Sequence, residues 1–469
     1  MSDARRNTTP PGPTPADDPA ADDPGQALRA VEAELAARWP EDRIEPSLDR
    51  ISALMDILGQ PQRSYPSIHI TGTNGKTTTA RMIERLLLAF DLRTGRVTSP
   101  HVESVTERIS LDGEPISARG FVDTYRDIAP YVEMVDAAQP LRMSYFEVLA
   151  GMAYAAFADA PVDVAVVEVG MGGSWDATNV IDAQVSVITP ISLDHTDRLG
   201  KTPGEIAVEK SGIIKPGGIA VVAQQPVDAA QTILRRAVEV DAVVAREGME
   251  FGVLRRDVAV GGQLVSLRGL SGHVYEDVFV PLHGAHQAQN ASLALAAVEA
   301  FFGVGSAEGR RLDEDKVRAA FASVSSPGRL EVVRRSPTIL LDAAHNPGGA
   351  QATADAIREA FGFNRLVGVI GATAGKDAQG VLEAFEPVLA EVVITQNSGH
   401  RAIPADQLAE VAVEVFGADR VLVEPRLDDA IDSAVALAEE EGDLGGAGVL
   451  VTGSIVTVGE ARVLLGGKD

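Results

Sequence analysis

The chain has 469 residues, 45% of them hydrophobic, enough for two or three packed domains, and a folded enzyme is the expected class. Its net charge of −26 repels nucleic-acid backbones and anionic membranes, so neither is expected as a main partner. The absence of cysteine excludes disulfides, a thiol nucleophile and cysteine-held zinc, and leaves a cytoplasmic address as the simplest reading.

Residues 1–26, rich in Pro, Asp and Ala, read as a disordered tail. No apolar run follows Arg5-Arg6, so no export signal is expected there, and no later stretch has the uninterrupted apolar length of a membrane span. From about residue 27 to 58 the pattern is helical, with a break at Pro40. Residues 67–72 (SIHITG) then read as a buried strand, TNGKT as a loop, and 78–90 as a helix with Met82, Ile83, Leu86, Leu87 and Phe90 at helical spacing. Further apolar runs at 95–99, 162–170, 184–191 and 217–223 alternate with helical segments, which predicts a mostly parallel sheet covered on both faces. Gly-punctuated alternation over 251–282 predicts a small antiparallel sheet. Ser325-Ser326-Pro327-Gly328 reads as a hinge, after which five strand-then-helix units predict a Rossmann-like domain. The expected organisation is α/β: a tail over 1–26, an ATP-binding domain with the small antiparallel sheet over 27–326, and a C-terminal Rossmann-like domain over 327–469.

Ligands of open parallel sheets gather beyond the carboxyl ends of the strands. Those positions carry Gly75-Lys76-Thr77, Thr98-Ser99-Pro100-His101, Glu168 with Gly170-Met171-Gly172-Gly173, and Ser192-Leu193-Asp194-His195; the segment after the last of these holds Lys210. Backbone N–H groups across Thr73, Asn74, Gly75, Lys76, Thr77 and Thr78 can cradle the phosphates of ATP. Lys76 balances their charge, and Thr77 or Ser99 offers an oxygen to Mg²⁺. Taken singly, Glu168 is more simply a capping carboxylate and His195 a loop histidine. Their joint placement beside a phosphate loop favours metal ligation. Only seven of 41 basic residues are lysine, so a lysine here marks either a need for an amine or a bias of genome composition.

An ordinary phosphate loop would have its first glycine at position 70, where this chain has Ile70. The shortened form TGTNGKT resembles that of the Mur ligase superfamily, with Ile70 as the last residue of the strand. Further motifs in the same order narrow the resemblance: TSPHVESVTERI, SYFEVLA, VVEVGMGGSWDATNV, LDHTDRLG, EKSGIIKPG, HQAQNASLALAA, PGRLEVV, LDAAHNPGGA and VTGSIVTVGEA. From about residue 30 to the C-terminus the chain resembles the bacterial bifunctional folylpolyglutamate synthase/dihydrofolate synthase family.

That resemblance implies an ATP-dependent ligase that adds L-glutamate to dihydropteroate or to reduced folates through an acyl phosphate, acting as a monomer. It implies two Mg²⁺ sites, with K⁺ as a further ion: Ser99 and Glu168 for one, and Glu168, His195 and a carbamylated Lys210 for the other. Lys76 and Thr77 would act on the phosphates, and Asn290, Arg329 and Asp342 would hold ATP from across the cleft. Ser144, Phe146, Trp175, Asp176 and Ala177 would meet the pterin, and His345 and Arg401 the glutamate. The family commonly has arginine where this chain has Ser174. Two alternatives stay open: a Mur-type ligase acting on a cell-wall precursor, and a nucleotide-binding ATPase without ligation. Against the first, the roughly 45 ordered residues expected between the tail and the loop are too few for the usual UDP-binding domain.

Overall fold

A computed structural model describes residues 23–40, 45–304, 311–440 and 446–466. Most of the expected tail, residues 1–22, lies outside the described residues. Its expected end at 26 is corrected by helix α1 (Pro24–Ala36). Asp23 caps that helix by accepting from the Gly25 N–H at 2.9 Å, and Pro24 fits the first helical position, where no N–H is needed. Helix α2 (Asp49–Ile57) follows.

The first sheet contains β1 (Ser67–Thr71), β2 (Thr94–Val97), β3 (Ile109–Leu111), β4 (Glu114–Pro115), β5 (Val164–Glu168), β6 (Val185–Ile188), β7 (Ile219–Val222) and β8 (Val243–Arg246). Their order is β4-β3-β2-β5-β1-β6-β7-β8, parallel except for the edge pairings of β3 with β2 and β4. Those two edge strands are too short to leave an alternation in the sequence. Helix α3 (Lys76–Ala89) covers one face of the sheet; α4 (Ala118–Ala138) and α5 (Tyr145–Asp159), with α1 and α2, cover the other. Ile68 and Ile70 of β1 join Met82, Ile83, Leu86 and Leu87 of α3 in one core, while Ala165 and Val167 of β5 join the opposite one. Each such Ile, Leu, Met or Val side chain, fully buried, contributes roughly 1.5–3 kcal/mol.

After α6 (Pro203–Ser211) and α7 (Val227–Glu239) comes a three-stranded antiparallel sheet of β9 (Gly252–Ala259), β10 (Gly262–Arg268) and β11 (Val274–Val280), then α8 (Ala285–Phe301), which packs on α3. The second large sheet comprises β12 (Glu331–Arg335), β13 (Thr338–Leu341), β14 (Arg365–Ile370), β15 (Glu391–Ile394), β16 (Val421–Val423) and β17 (Ala447–Thr452), in the order β12-β13-β17-β14-β15-β16. Five of these are the expected parallel strands; β12 adds an antiparallel edge. Among the described residues no helix is long and apolar enough to cross a membrane.

One buried charge braces the phosphate-loop helix. Arg96 on β2, 1% exposed, donates to Glu84 of α3 at 2.7 Å, to Thr98 at 3.0 Å and to Ser110 at 2.7 Å. Arg96→Leu would leave Glu84 buried without its partner, so a loss of about 3–5 kcal/mol is expected, read as a lower urea midpoint.

Candidate functional site

Strand register brings the chemical residues to one level. Ile70 of β1 lies opposite Glu168 of β5, Val97 of β2 opposite Val167, and Thr71 opposite Ile188 of β6. The loops that follow therefore open together. Strand β1 runs one residue past the expected end at Ile70, to Thr71. The carboxyl ends of the second sheet face them, and a single cleft of about 770 Å³ lies between, lined by every residue expected to meet phosphate, metal, pterin or glutamate.

The phosphate loop is shaped by what surrounds it. Gly72 and Gly75 have φ of +144° and +85°; a Cβ on Gly72 would come within 1.8 Å of Thr189 Oγ1, and one on Gly75 within 2.5 Å of Asn290 Oδ1. Thr73 accepts from the Ser192 N–H and donates to the Ser192 carbonyl, both at 3.0 Å. Asn74 and Asn346 exchange amide hydrogen bonds of 3.2 and 3.0 Å, so the loop touches the N-cap of the helix Pro347–Ala360. Thr78 meets Ser326 of the expected hinge at 2.9 Å. Lys76 donates to the carbonyls of Gly72 and Thr73 at 3.3 and 3.1 Å.

Glu168 sits beneath, 1% exposed, accepting from Thr77 Oγ1 at 2.9 and 3.0 Å and from the Ser99 N–H at 3.3 Å. Burial raises its pKa, with Lys76 and the Thr77 hydrogen bond opposing. Lys210, 4% exposed on α6, donates to the Gly72 carbonyl at 2.7 Å. Burial, with help from Lys76, lowers its pKa to about 7. Among the described residues no three His, Asp or Glu side chains converge as a ready-made metal cluster.

A cross-cleft group was not foreseen. Lys376 of the second domain donates to Asp194 Oδ1 at 2.5 Å and lies 3.1 Å from His195 Nε2. Burial works against the Asp194 carboxylate, but Lys376 and the neighbouring histidines hold its pKa well below the usual range. Burial lowers His195 to about 4, so its neutral ring accepts from the Lys376 ammonium. His195 also has φ of +50°, a costly backbone for a histidine, of the kind found at functional sites. His345, likewise lowered to about 4 by burial, donates from Nδ1 to the Ala343 carbonyl at 2.9 Å, which leaves a lone pair on Nε2, 4.0 Å from Asp194. Scarcity of lysine was the one sequence signal for Lys376. Arg401 donates to the Ala374 carbonyl at 2.6 Å beside it.

At the far end of the cleft, Ser144 caps α5, accepting from the Glu147 N–H at 3.1 Å while Glu147 accepts from the Ser144 N–H at 2.7 Å and is held by Arg50 at 3.0 Å. The Phe146 ring lies against Gly170, where a Cβ would come within 2.6 Å of it. Trp175 packs over Gly172, and Asp176 and Ala177 begin a short turn. Ser174 donates to Glu209, so this hydroxyl is tied to α6. Asn290, on α8, lies against Gly75 on the phosphate loop's own side, not across the cleft as expected, and donates to Gln287 at 3.0 Å. On the opposite wall Arg329 donates to the Gly328 carbonyl at 3.2 Å, and Asp342 accepts from Leu330, Ala344 and Thr353 at 2.8–3.0 Å. Arg81, one turn beyond Thr77, also lines the cleft. Burial lowers its pKa to about 10.

Known proteins resemble this chain along most of its length. The Mur ligase middle domain model matches residues 70–298, and the Mur ligase glutamate ligase domain model matches 328–455. The dihydrofolate synthase/folylpolyglutamate synthase of Mycobacterium tuberculosis is 54% identical over 461 residues, 94% of each chain. Among solved structures, M. tuberculosis folylpolyglutamate synthase complexed with ADP superposes with a TM-score of 0.91 at 54% identity, over 95% of this chain and 100% of that one. Escherichia coli FolC in complex with DHPP and ADP gives 0.80 at 30% identity, over 94% and 97%.

Proposed function

Since the chain belongs to the Mur ligase family and, within it, to the dihydrofolate synthase/folylpolyglutamate synthases, we propose that it joins L-glutamate to the carboxylate of dihydropteroate and of reduced folates at the expense of ATP. The observation that carries this is the single cleft in which a phosphate loop, an aromatic-and-carboxylate corner and two histidines meet. We take the chain from α1 to residue 326 as the ATP and pterin unit and 327–469 as the unit that closes over it. In this reading the catalytic unit is a monomer.

Carboxylates are poor electrophiles, so the acceptor must first be activated. Its oxygen attacks the γ-phosphorus of ATP, the bond to the β-phosphate oxygen breaks, and an acyl phosphate and ADP form. The glutamate amine then attacks the acyl carbon, and phosphate leaves with the former carboxylate oxygen. Lys76 and the N–H groups from Gly75 onward meet the growing phosphoryl charge. Arg329 faces it from the opposite wall, with Asn290 and Asp342 on the nucleoside side. His345 offers its Nε2 lone pair, and Arg401 its guanidinium, to the amino acid.

The donor set fits Mg²⁺. Glu168 is a carboxylate beside the Thr77 hydroxyl and the Ser99 N–H, and Mg²⁺ favours such hard oxygen donors, completing its shell with substrate phosphates and water. His195 is a neutral electron-pair donor already facing a cation, and carbamylation of Lys210 would turn an amine into a second carboxylate. Bound there, Mg²⁺ would neutralise charge on the phosphates. K⁺ would serve as a further ion.

A coupled assay of ADP release tests the reading. It requires both acceptor and glutamate, and ADP release with ATP alone would instead favour an ATPase. For the pterin corner, Phe146→Ala is expected to raise KM for dihydropteroate by about tenfold, through loss of stacking area, with KM for ATP unchanged.

A further inference from the structure

β1 alternates cleanly: Ile68 and Ile70 enter the α3 core, and the residue between them faces the opposite side of the sheet. That residue is His69, completely buried in the central strand beside Val167 and Ser186. A polar ring in the middle of a parallel sheet is costly unless paired, and an aliphatic residue would fill this place more cheaply.

Its partner leads to the pterin corner. His69 Nε2 lies 2.9 Å from Thr178 Oγ1, and Thr178 Oγ1 lies 2.5 Å from Asp176 Oδ1. Thr178 has one hydroxyl proton, and a carboxylate can only accept, so Thr178 donates to Asp176. The Nε2 of His69 must then carry the proton and donate to Thr178, which leaves Nδ1 bare. Nδ1 is indeed among the buried atoms without a hydrogen-bond partner. Asp176 Oδ1 also accepts from the Thr178 N–H at 2.9 Å, and Oδ2 from the Met171 N–H at 2.9 Å. Tyr154 fixes the same turn by donating to the Thr178 carbonyl at 2.9 Å. Oδ1 is thus saturated from within the protein, and the free acceptor capacity of Asp176, a residue that lines the cleft, is confined to Oδ2.

We propose that His69 and Thr178 are positioning residues for pterin recognition, forming a one-way donor chain that orients the Asp176 carboxylate toward the aminopyrimidine edge. This rests on the assignment of Asp176 to the pterin made above. Neither residue touches the substrate, so their effect is confined to acceptor binding.

The test is a double-mutant cycle on KM for dihydropteroate, with KM for ATP and thermal midpoints measured alongside. His69→Leu is expected to raise KM for dihydropteroate about two- to tenfold and Thr178→Val by at least as much, without moving KM for ATP. The double variant is expected to match Thr178→Val alone, because His69 acts only through the hydroxyl. His69→Gln, which keeps a donor at a similar reach, is expected to restore binding. Additive effects, an equal rise in KM for ATP, or no rise at all would overturn the proposal. If His69→Leu does not fold, Thr178→Val and His69→Gln still decide it by the same split. Asp176→Asn separates the two levels: if it leaves KM for dihydropteroate unchanged, the pterin assignment is what fails. If it raises that KM while Thr178→Val does not, only the donor chain fails.

Discussion

Lys210→Arg is expected to leave a folded protein whose kcat is lower by about 10²–10³-fold, the scale for loss of one preorganised group that stabilises transition-state charge. Arginine keeps the charge and the reach toward the Gly72 carbonyl, but a guanidinium that stays protonated cannot take up CO₂. An amine can, and only when neutral. Burial, reinforced by Lys76, lowers the pKa of Lys210 to about 7, so the neutral form gains as pH rises through neutrality and is lost below it. Carbamylation would form a bond from Nζ to the CO₂ carbon with release of one proton. Activity in CO₂-depleted buffer is therefore expected to fall more at pH 6 than at pH 8, with bicarbonate restoring it. Intact mass spectrometry of the native protein should show an increment of one CO₂ that Lys210→Arg lacks. Full activity in Lys210→Arg would remove the carbamate from the account.

Glu168→Gln is the second large effect, a drop of about 10²–10³-fold in kcat with a higher Mg²⁺ requirement. Thr77 can still donate to the amide oxygen, so the local geometry survives. The negative charge does not. Because burial raises the folded-state pKa of Glu168, its ionised form is disfavoured by folding, and its contribution to stability falls as pH rises through that pKa. Removing the charge is thus expected to leave the melting temperature unchanged or higher at pH 7 while activity falls, a separation that thermal melts and steady-state kinetics read directly.

How much of this was legible in the sequence follows from the range of each interaction. The strand, loop and helix around Lys76 declare themselves through apolar spacing and two glycines, and the parallel frame follows from alternating apolar runs. The two-residue edge strand Glu114–Pro115 leaves no such pattern. Position in the chain also identified Glu168 and His195, because strand ends converge in any parallel sheet. Lys376 and Asp194 are 182 residues apart, and only packing of the two domains brings them together. His69 hid for the opposite reason: within SIHITG it reads as one more buried strand position, and its meaning lies in a hydroxyl 109 residues away. The tail expectation ended too late because Asp23-Pro24 looks like more of the same Pro/Asp composition, yet in that order it starts a helix.

The most direct test is a mass-spectrometric product assay with ATP, Mg²⁺, K⁺ and L-glutamate, offering dihydropteroate and tetrahydrofolate in separate reactions while following ADP. The account predicts that each acceptor gains one glutamate per ADP released. ADP without any glutamylated product, or no turnover of either acceptor, would contradict it.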